Sequence, residues 1–373
     1  MLLAGPGYGF ILAVLQTLFS GSPLVPALLL NLLFGCAAPV VVYLLAAELV
    51  SDRRVALGAG LMAAVSVTSL SVSTSLLSDQ PFYTLHALAL LWFVVGWKTG
   101  RARWFLFAGV AAGVATWIRV MGQVWPLVFC FIATALTLLE SNPGRWGRWR
   151  RSLWTPAILL AFILSWSAYN YAQHGLFTLT SNGARTAWLY LGARALAMNT
   201  PGLETEAARA RIAEELEREV GPDHPEADRY RLSMEKFSAL AREHPWWLVR
   251  AFAHNVKENV QESNYDLYRQ LPQCKAALDV FTRQARDWLN EWIFWGSVLG
   301  GVLLIRDRMH LAWVTAGTTF AVFTLVTGFS FWQGSRLHYP AEMGWSILLA
   351  NLLISVTGWI RTRMRRRLVV GGA

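Results

Sequence analysis

Charge is scarce in this sequence. Only 15% of its 373 residues are Asp, Glu, Lys or Arg, against roughly 25% in an ordinary soluble domain. Ionisable residues are almost missing from the middle of the long apolar runs, where transporters and proton pumps carry theirs. That argues against a transporter or flippase. Cysteine is equally sparse. Cys36 and Cys130 lie within apolar runs and Cys274 stands alone in a polar region, so no disulfide framework or zinc spacing can be built from them. No Walker, Rossmann, HExxH or GxSxG pattern occurs, so the chemistries those motifs mark have no foothold. The opening MLLAGPGYGF lacks the basic stretch of a secretory signal.

What remains is apolar. The chain is 55% hydrophobic, with a mean hydropathy of +0.38 and 19 Trp, and several runs reach the ~20 residues that cross a bilayer core. The fold class expected is all-α, a polytopic transmembrane helical bundle of about nine spans with a helical extracytoplasmic cap. The spans are read at 24–47, 55–77, 81–97, 104–119, 123–139, 153–171, 291–305, 310–330 and 343–360. The joining loops then separate into two sets. Loops 51–54, 98–103, 141–151 and 306–309 and the tail 361–367 hold sixteen Lys and Arg, and the other short loops hold only Arg119 and Arg336. This alternation sets the first group in the cytoplasm and the second outside, in a multi-pass inner (plasma) membrane protein. The net charge of +10 is therefore an anchoring charge beside lipid, and no nucleic-acid partner is expected.

Four parts follow: an interfacial outer segment (1–23), a six-span bundle (24–171), an outer helical domain (172–290) and three further spans with a basic tail (291–373). Within 172–290, 15 Lys/Arg stand against 16 Asp/Glu. Ile212, Leu216 and Val220 recur at helical spacing there, marking an amphipathic helix. Further helices are expected at 229–243 and 246–262, punctuated by His244-Pro245. Residues 7–20 are too short to span and read as a helix along the outer interface, or else as a frayed or re-entrant end. An external N-terminus with nothing upstream to translocate it suggests a first span before Met1, a late start or a shortened family member.

The unusual polar residues gather at the outer rim. Asp79 sits in the turn LLSDQPF. It is either a helix cap in a solvated turn or a carboxylate that accepts a proton or holds a cation. Tyr83 and His86 share its helix face, and a hydrogen bond to a neighbouring helix is the expected role of His86. Arg119 ends its span on the side the basic asymmetry disfavours, which points to an anionic partner, with a snorkelling anchor as the plainer role. The loop FWQGSRLHYPAE combines Arg336, His338, Tyr339 and Glu342, and arginine suits bidentate phosphate contact. Asn170, His174 and Asn182 flank the exit into the cap and are candidates to line its floor. The stretch GVAAGVA reads as a helix-packing face.

These residues resemble the GT-C superfamily of integral-membrane glycosyltransferases, in the branch of protein O-mannosyltransferases and the lipid A aminoarabinose transferase. GPGYGFILAVLQTLFSG resembles the family's Pro-Gly-Tyr-Pro interfacial segment, and the span and basic turn after it also fit. LLSDQPFYTL places Asp79 where members carry an acidic residue. GVAAGVATWIRVMGQVWPLVF resembles the small-residue helix ending in Arg, here Arg119. WSAYNYAQHGLFTLTSNGA resembles the Arg-Asn-x-x-x-x-Gly exit, with Tyr169 in place of the Arg. SRLHYPAEM resembles the late outer loop with Arg336 and Pro340.

The resemblance implies a sugar passed, with inversion, from a polyprenyl-phosphate carrier to a protein, lipid or glycan hydroxyl. A carboxylate acts as base and cations hold the leaving phosphate. The partners are then the carrier-linked donor, membrane lipid and an unidentified acceptor, with no certain cofactor beyond a possible divalent cation. The implied roles are Asp79 as acid/base or cation ligand, Arg119 and Arg336 on phosphate, and His338, Tyr339, Tyr83 and His86 near the substrate. The family's principal acidic residue lies in a first outer loop before the Pro-Gly-Tyr segment, where this sequence begins. The alternative is thus a chain that keeps the fold without the chemistry, a carrier-binding or scaffold protein.

Overall fold

The computed structural model describes residues 5–19, 22–221, 225–261, 279–331, 337 and 339–370. Helices fill these residues, with no strand among them, as the all-α expectation required. In chain order, α1 (Pro6–Leu18), α2 (Leu24–Leu49), α3 (Arg53–Val65), α4 (Val67–Ser73), α5 (Asp79–Thr99) and α6 (Ala102–Ile118) lead into a short 3-10 turn, Val120–Val124. Then come α7 (Trp125–Leu139), α8 (Arg145–Ser152) and α9 (Trp154–His174). Five stretches among the described residues are long and apolar enough to cross a membrane: Leu24–Leu49, Val120–Leu139, Arg145–His174, His310–Phe329 and Tyr339–Arg363. The chain is a multi-pass membrane protein.

The expected span 55–77 is not one helix. It breaks at Ser66, whose extended backbone (φ −61°, ψ 120°) ends α3 and whose Oγ caps α4 by accepting from the Ser69 amide. The sequence VSVTSLSVSTS explains the break. β-Branched residues lose rotamer freedom in a helix, and serines compete for backbone groups.

Small residues set the helix spacing. The GVAAGVA face of α6 is buried against α9. Gly109 meets the Thr155 carbonyl and Ile158, and Gly113 lies under the Phe162 ring. Thr155 adds a hydrogen bond from Oγ1 to the Phe105 carbonyl (2.9 Å). Outward-facing Leu, Val and Phe side chains on α2, α6 and α7 remain exposed, as lipid-facing surfaces do.

Beyond α9 the chain forms α10 (Asn182–Thr186), a π-helical turn Ala187–Gly192, α11 (Ala193–Asn199), α12 (Thr205–Val220), α13 (Glu226–Glu243) and α14 (Pro245–Gln261). Ile212, Leu216 and Val220 of α12 are buried, with Ala208. Lys236 bridges α13 to Glu219 (2.8 Å) and Glu215 (2.9 Å) of α12, and its hydrogen bond holds the Glu215 carboxyl below its ordinary range. The chain returns through α15 (Asp279–Arg306), α16 (His310–Val326) and α17 (Glu342–Val370).

Two asparagines fasten α14 to the end of α16. Asn255 Nδ2 donates to the Gly328 carbonyl (3.0 Å), and Asn259 Nδ2 donates to those of Thr327 (3.2 Å) and Ser330 (2.7 Å). The end of the bundle reached by α9 and this junction is the cap side.

Candidate active site at the cap-side rim

Asn31, fully buried in α2, anchors the turn that delivers Asp79. Its Nδ2 donates to the carbonyls of Ser75 (2.7 Å) and Leu77 (3.0 Å), and Tyr8 of α1 lies beside it, 3.4 Å away at the hydroxyl. Asp79 then opens α5, where the partial positive charge of a helix N-terminus favours a carboxylate. Arg119 follows the last residue of α6, where the opposite partial charge favours a cation. The 3-10 turn Val120–Val124 reverses the chain immediately beyond it.

The two ends meet. Arg119 Nη1 forms an ion pair with Asp79 Oδ1, with the Asp79 side chain 1% exposed and that of Arg119 15%. Residues expected to act separately, one on the acceptor and one on phosphate, are joined. Asp79 is not a cap in a solvated turn. Nor is Arg119 a lone snorkelling anchor.

Tyr339 and Tyr83 sit next to this pair. Their rings stack at 4.4 Å between centroids. The Tyr339 hydroxyl donates to Gln80 Oε1 (2.7 Å) and lies 3.0 Å from Ser69 Oγ. Glu342, three residues on, accepts from Ser66 Oγ at its Oε2 (2.7 Å). The break at Ser66 thus supplies two serines to this cluster, Ser66 to Glu342 and Ser69 to Tyr339.

His86 departs from its expected role. It is fully buried among Phe82, Trp125, Phe129 and Phe323, its ring 3.9 Å from that of Trp125. Neither nitrogen has a hydrogen-bond partner among the described residues, so the expected bond to a neighbouring helix is not found there. Seven residues into α5 places it below the rim, enclosed by aromatic side chains. Asn170 is buried and donates to the carbonyls of Thr178 (2.8 Å) and Leu179 (3.3 Å), tying down the exit loop, while His174 and Asn182 are exposed. Arg336 and His338 lie outside the described residues. No group of three or more His, Cys, Asp or Glu able to hold a metal occurs among the described residues.

Gln80, Ser66, Ser69 and Asn31 carry no sequence signal of function. Glu342 carries a faint one, an acidic residue at the head of an apolar run.

Residues 4–171 match the family model described as dolichyl-phosphate-mannose-protein mannosyltransferase, and the fold of the chain is similar to that of a solved oligosaccharyltransferase. The archaeal oligosaccharyltransferase AglB from Archaeoglobus fulgidus, solved with an inhibitory peptide and a dolichol-phosphate, aligns at a TM-score of 0.54 and 14% identity. That alignment covers 99% of this chain and 44% of that one. An Archaeoglobus fulgidus oligosaccharyltransferase tethered by a disulfide bond to an acceptor peptide containing the NVT sequon aligns at 0.46 and 14% identity, over 98% of this chain and 42% of its own. This chain therefore spans less than half the length of those solved chains. No curated protein matches it.

Proposed function

We propose that this protein moves a sugar from an undecaprenyl- or dolichyl-phosphate carrier to a hydroxyl of an envelope glycan, lipid or protein. The reaction takes place on the outer face of the inner (plasma) membrane, with the cap extracytoplasmic. The observation that carries this reading is the Asp79–Arg119 pair at the cap-side rim, inside the segment that matches the mannosyltransferase family model. The basic asymmetry of the loops supports the outward orientation.

In this reading a carrier phosphate lies at headgroup level, where Arg119 meets it. Fixed by Asp79, the guanidinium keeps one orientation and needs no rearrangement when charge builds on the leaving phosphate. Arg336 is the second phosphate contact, and Tyr339, with His338, borders the sugar or phosphate. Asp79 acts through Arg119.

The test uses purified protein with dolichyl-phosphate mannose as donor probe and an envelope extract as acceptor, scored by release of dolichyl phosphate. Release by the native protein and loss of at least tenfold in Arg119→Ala are expected. Binding of dolichyl phosphate without any donor turnover would instead identify a carrier-binding protein.

A further inference from the structure

Two carboxylates are buried among the described residues, Asp79 and Glu342. Asp79 is held by Arg119. Glu342 is paired with no cation among the described residues. Its Oε2 accepts from Ser66 Oγ, and its Oε1 is shielded from water with no hydrogen-bond partner. Two more buried oxygens close by are also unpartnered: the Tyr83 hydroxyl, on the ring stacked against Tyr339, and Ser346 Oγ, one helical turn beyond Glu342. Glu342 lies near enough to the Tyr83 and Tyr339 phenols to act on both electrostatically. Buried polar groups are nearly always paired. Three unpaired oxygens beside a candidate active site mark a place built for a polar group of the substrate.

We propose that Glu342 is the proton acceptor of the transfer reaction and that Asp79 is a positioning residue for Arg119. This rests on the transferase reading above. A general base needs an unengaged oxygen within reach of the hydroxyl it deprotonates. Glu342 has one, whereas Asp79 is occupied by a guanidinium. Its shelter from bulk water directs it to a bound hydroxyl rather than to solvent. Ser66, holding Oε2, fixes the plane of the carboxylate and so aims Oε1.

The acceptor's O–H bond breaks and the proton passes to Glu342 Oε1. The freed oxygen pair forms the bond to the sugar's anomeric carbon. The bond from that carbon to the carrier phosphate oxygen breaks, and its electron pair leaves on the phosphate opposite Arg119. The carboxylic acid gives up its proton once the product has left and water enters in its place, before the next turnover. The acceptor class that fits is an alcohol, the hydroxyl of a sugar, a lipid or a Ser/Thr side chain, with Tyr83 and Ser346 as further polar contacts.

The experiment measures two quantities in the full-length protein: turnover of dolichyl-phosphate mannose with envelope extract, and the thermal shift produced by dolichyl phosphate alone. Glu342→Gln should lower turnover by about 100-fold or more and keep the thermal shift. Glu342→Asp should recover part of the turnover with an altered pH profile, which a purely structural carboxylate does not produce. Asp79→Asn should weaken the thermal shift instead. Turnover by Glu342→Gln within threefold of the native protein overturns the assignment, as does loss of turnover and thermal shift together. Native protein that turns over no donor overturns the transferase reading and this assignment with it. Native turnover with an indifferent Glu342→Gln overturns the assignment alone.

Discussion

Arg119, at the end of one helix, is paired with Asp79, at the start of its neighbour, forty residues earlier in the chain. Breaking such a pair from one side strands the other charge in a water-poor place. Asp79→Asn or Arg119→Gln alone should destabilise the protein by about 3–5 kcal/mol. The double variant Asp79→Asn/Arg119→Gln should be destabilised by less, because no unpaired charge remains. Thermal unfolding in detergent of the two singles and the double measures the coupling. Additive losses would show that the pair is not a unit.

Asn31 controls where α5 begins. Asn31→Ala removes the side-chain donor of the Leu77 carbonyl and leaves the Ser75 carbonyl with the Leu77 amide alone, a loss of about 1–3 kcal/mol. The effect should be local. Hydrogen exchange should accelerate in residues 74–80 and leave α9 unchanged.

How much of this was readable in advance depended on distance along the chain. Span ends follow from runs of neighbours, and loop asymmetry orders them, so α2, α6, α7, α9 and α16 fall close to their expected limits. Asp79 and Arg119 stood out because each broke a local rule, a carboxylate between apolar helices and an arginine on the disfavoured side. Their contact did not stand out, since a single sequence carries no record of which distant residues touch. Ser66 was hidden for another reason. A serine in an apolar run reads as a tolerated helix residue until its backbone is seen to be extended. Glu342 read as part of a polar loop, and only the fold brings Ser66 to it. His86 was expected to be hydrogen-bonded because polar side chains in spans usually are, and its aromatic enclosure comes from Trp125 and Phe323 on other helices.

Glycine positions offer a sharp contrast. A Cβ on Gly300 of α15 would lie 1.9 Å from the Leu348 carbonyl oxygen of α17, while one on Gly317 of α16 meets nothing within 4 Å. Gly300→Ala should force the two helices apart and cost about 1–3 kcal/mol. Gly317→Ala should be neutral. Comparison of the two melting temperatures decides it.

The cap has a pH-sensitive clasp. Lys236 holds the Glu215 carboxyl below its ordinary range through their hydrogen bond. The stability this contributes is fully present above the ordinary carboxylate range and disappears as pH falls through it to the lowered value. Lys236 itself is raised, first by Glu219 and then by Glu215, so its share is present below the ordinary lysine range and is lost as pH rises through the raised value. Both groups are largely solvent-exposed, so the effect is small. Protection factors in α12 and α13, corrected for the intrinsic pH dependence of amide exchange, should fall in acid, and Lys236→Met should flatten that dependence.

Asn255 and Asn259 engage backbone carbonyls rather than side chains of the segment after α16. Mutation on that membrane segment therefore cannot remove the acceptors, because every amino acid supplies a carbonyl. The two halves of the molecule stay mechanically coupled however the surface sequence drifts. The sequence of residues 327–330 is thus free to diversify while α14 keeps its attachment to them.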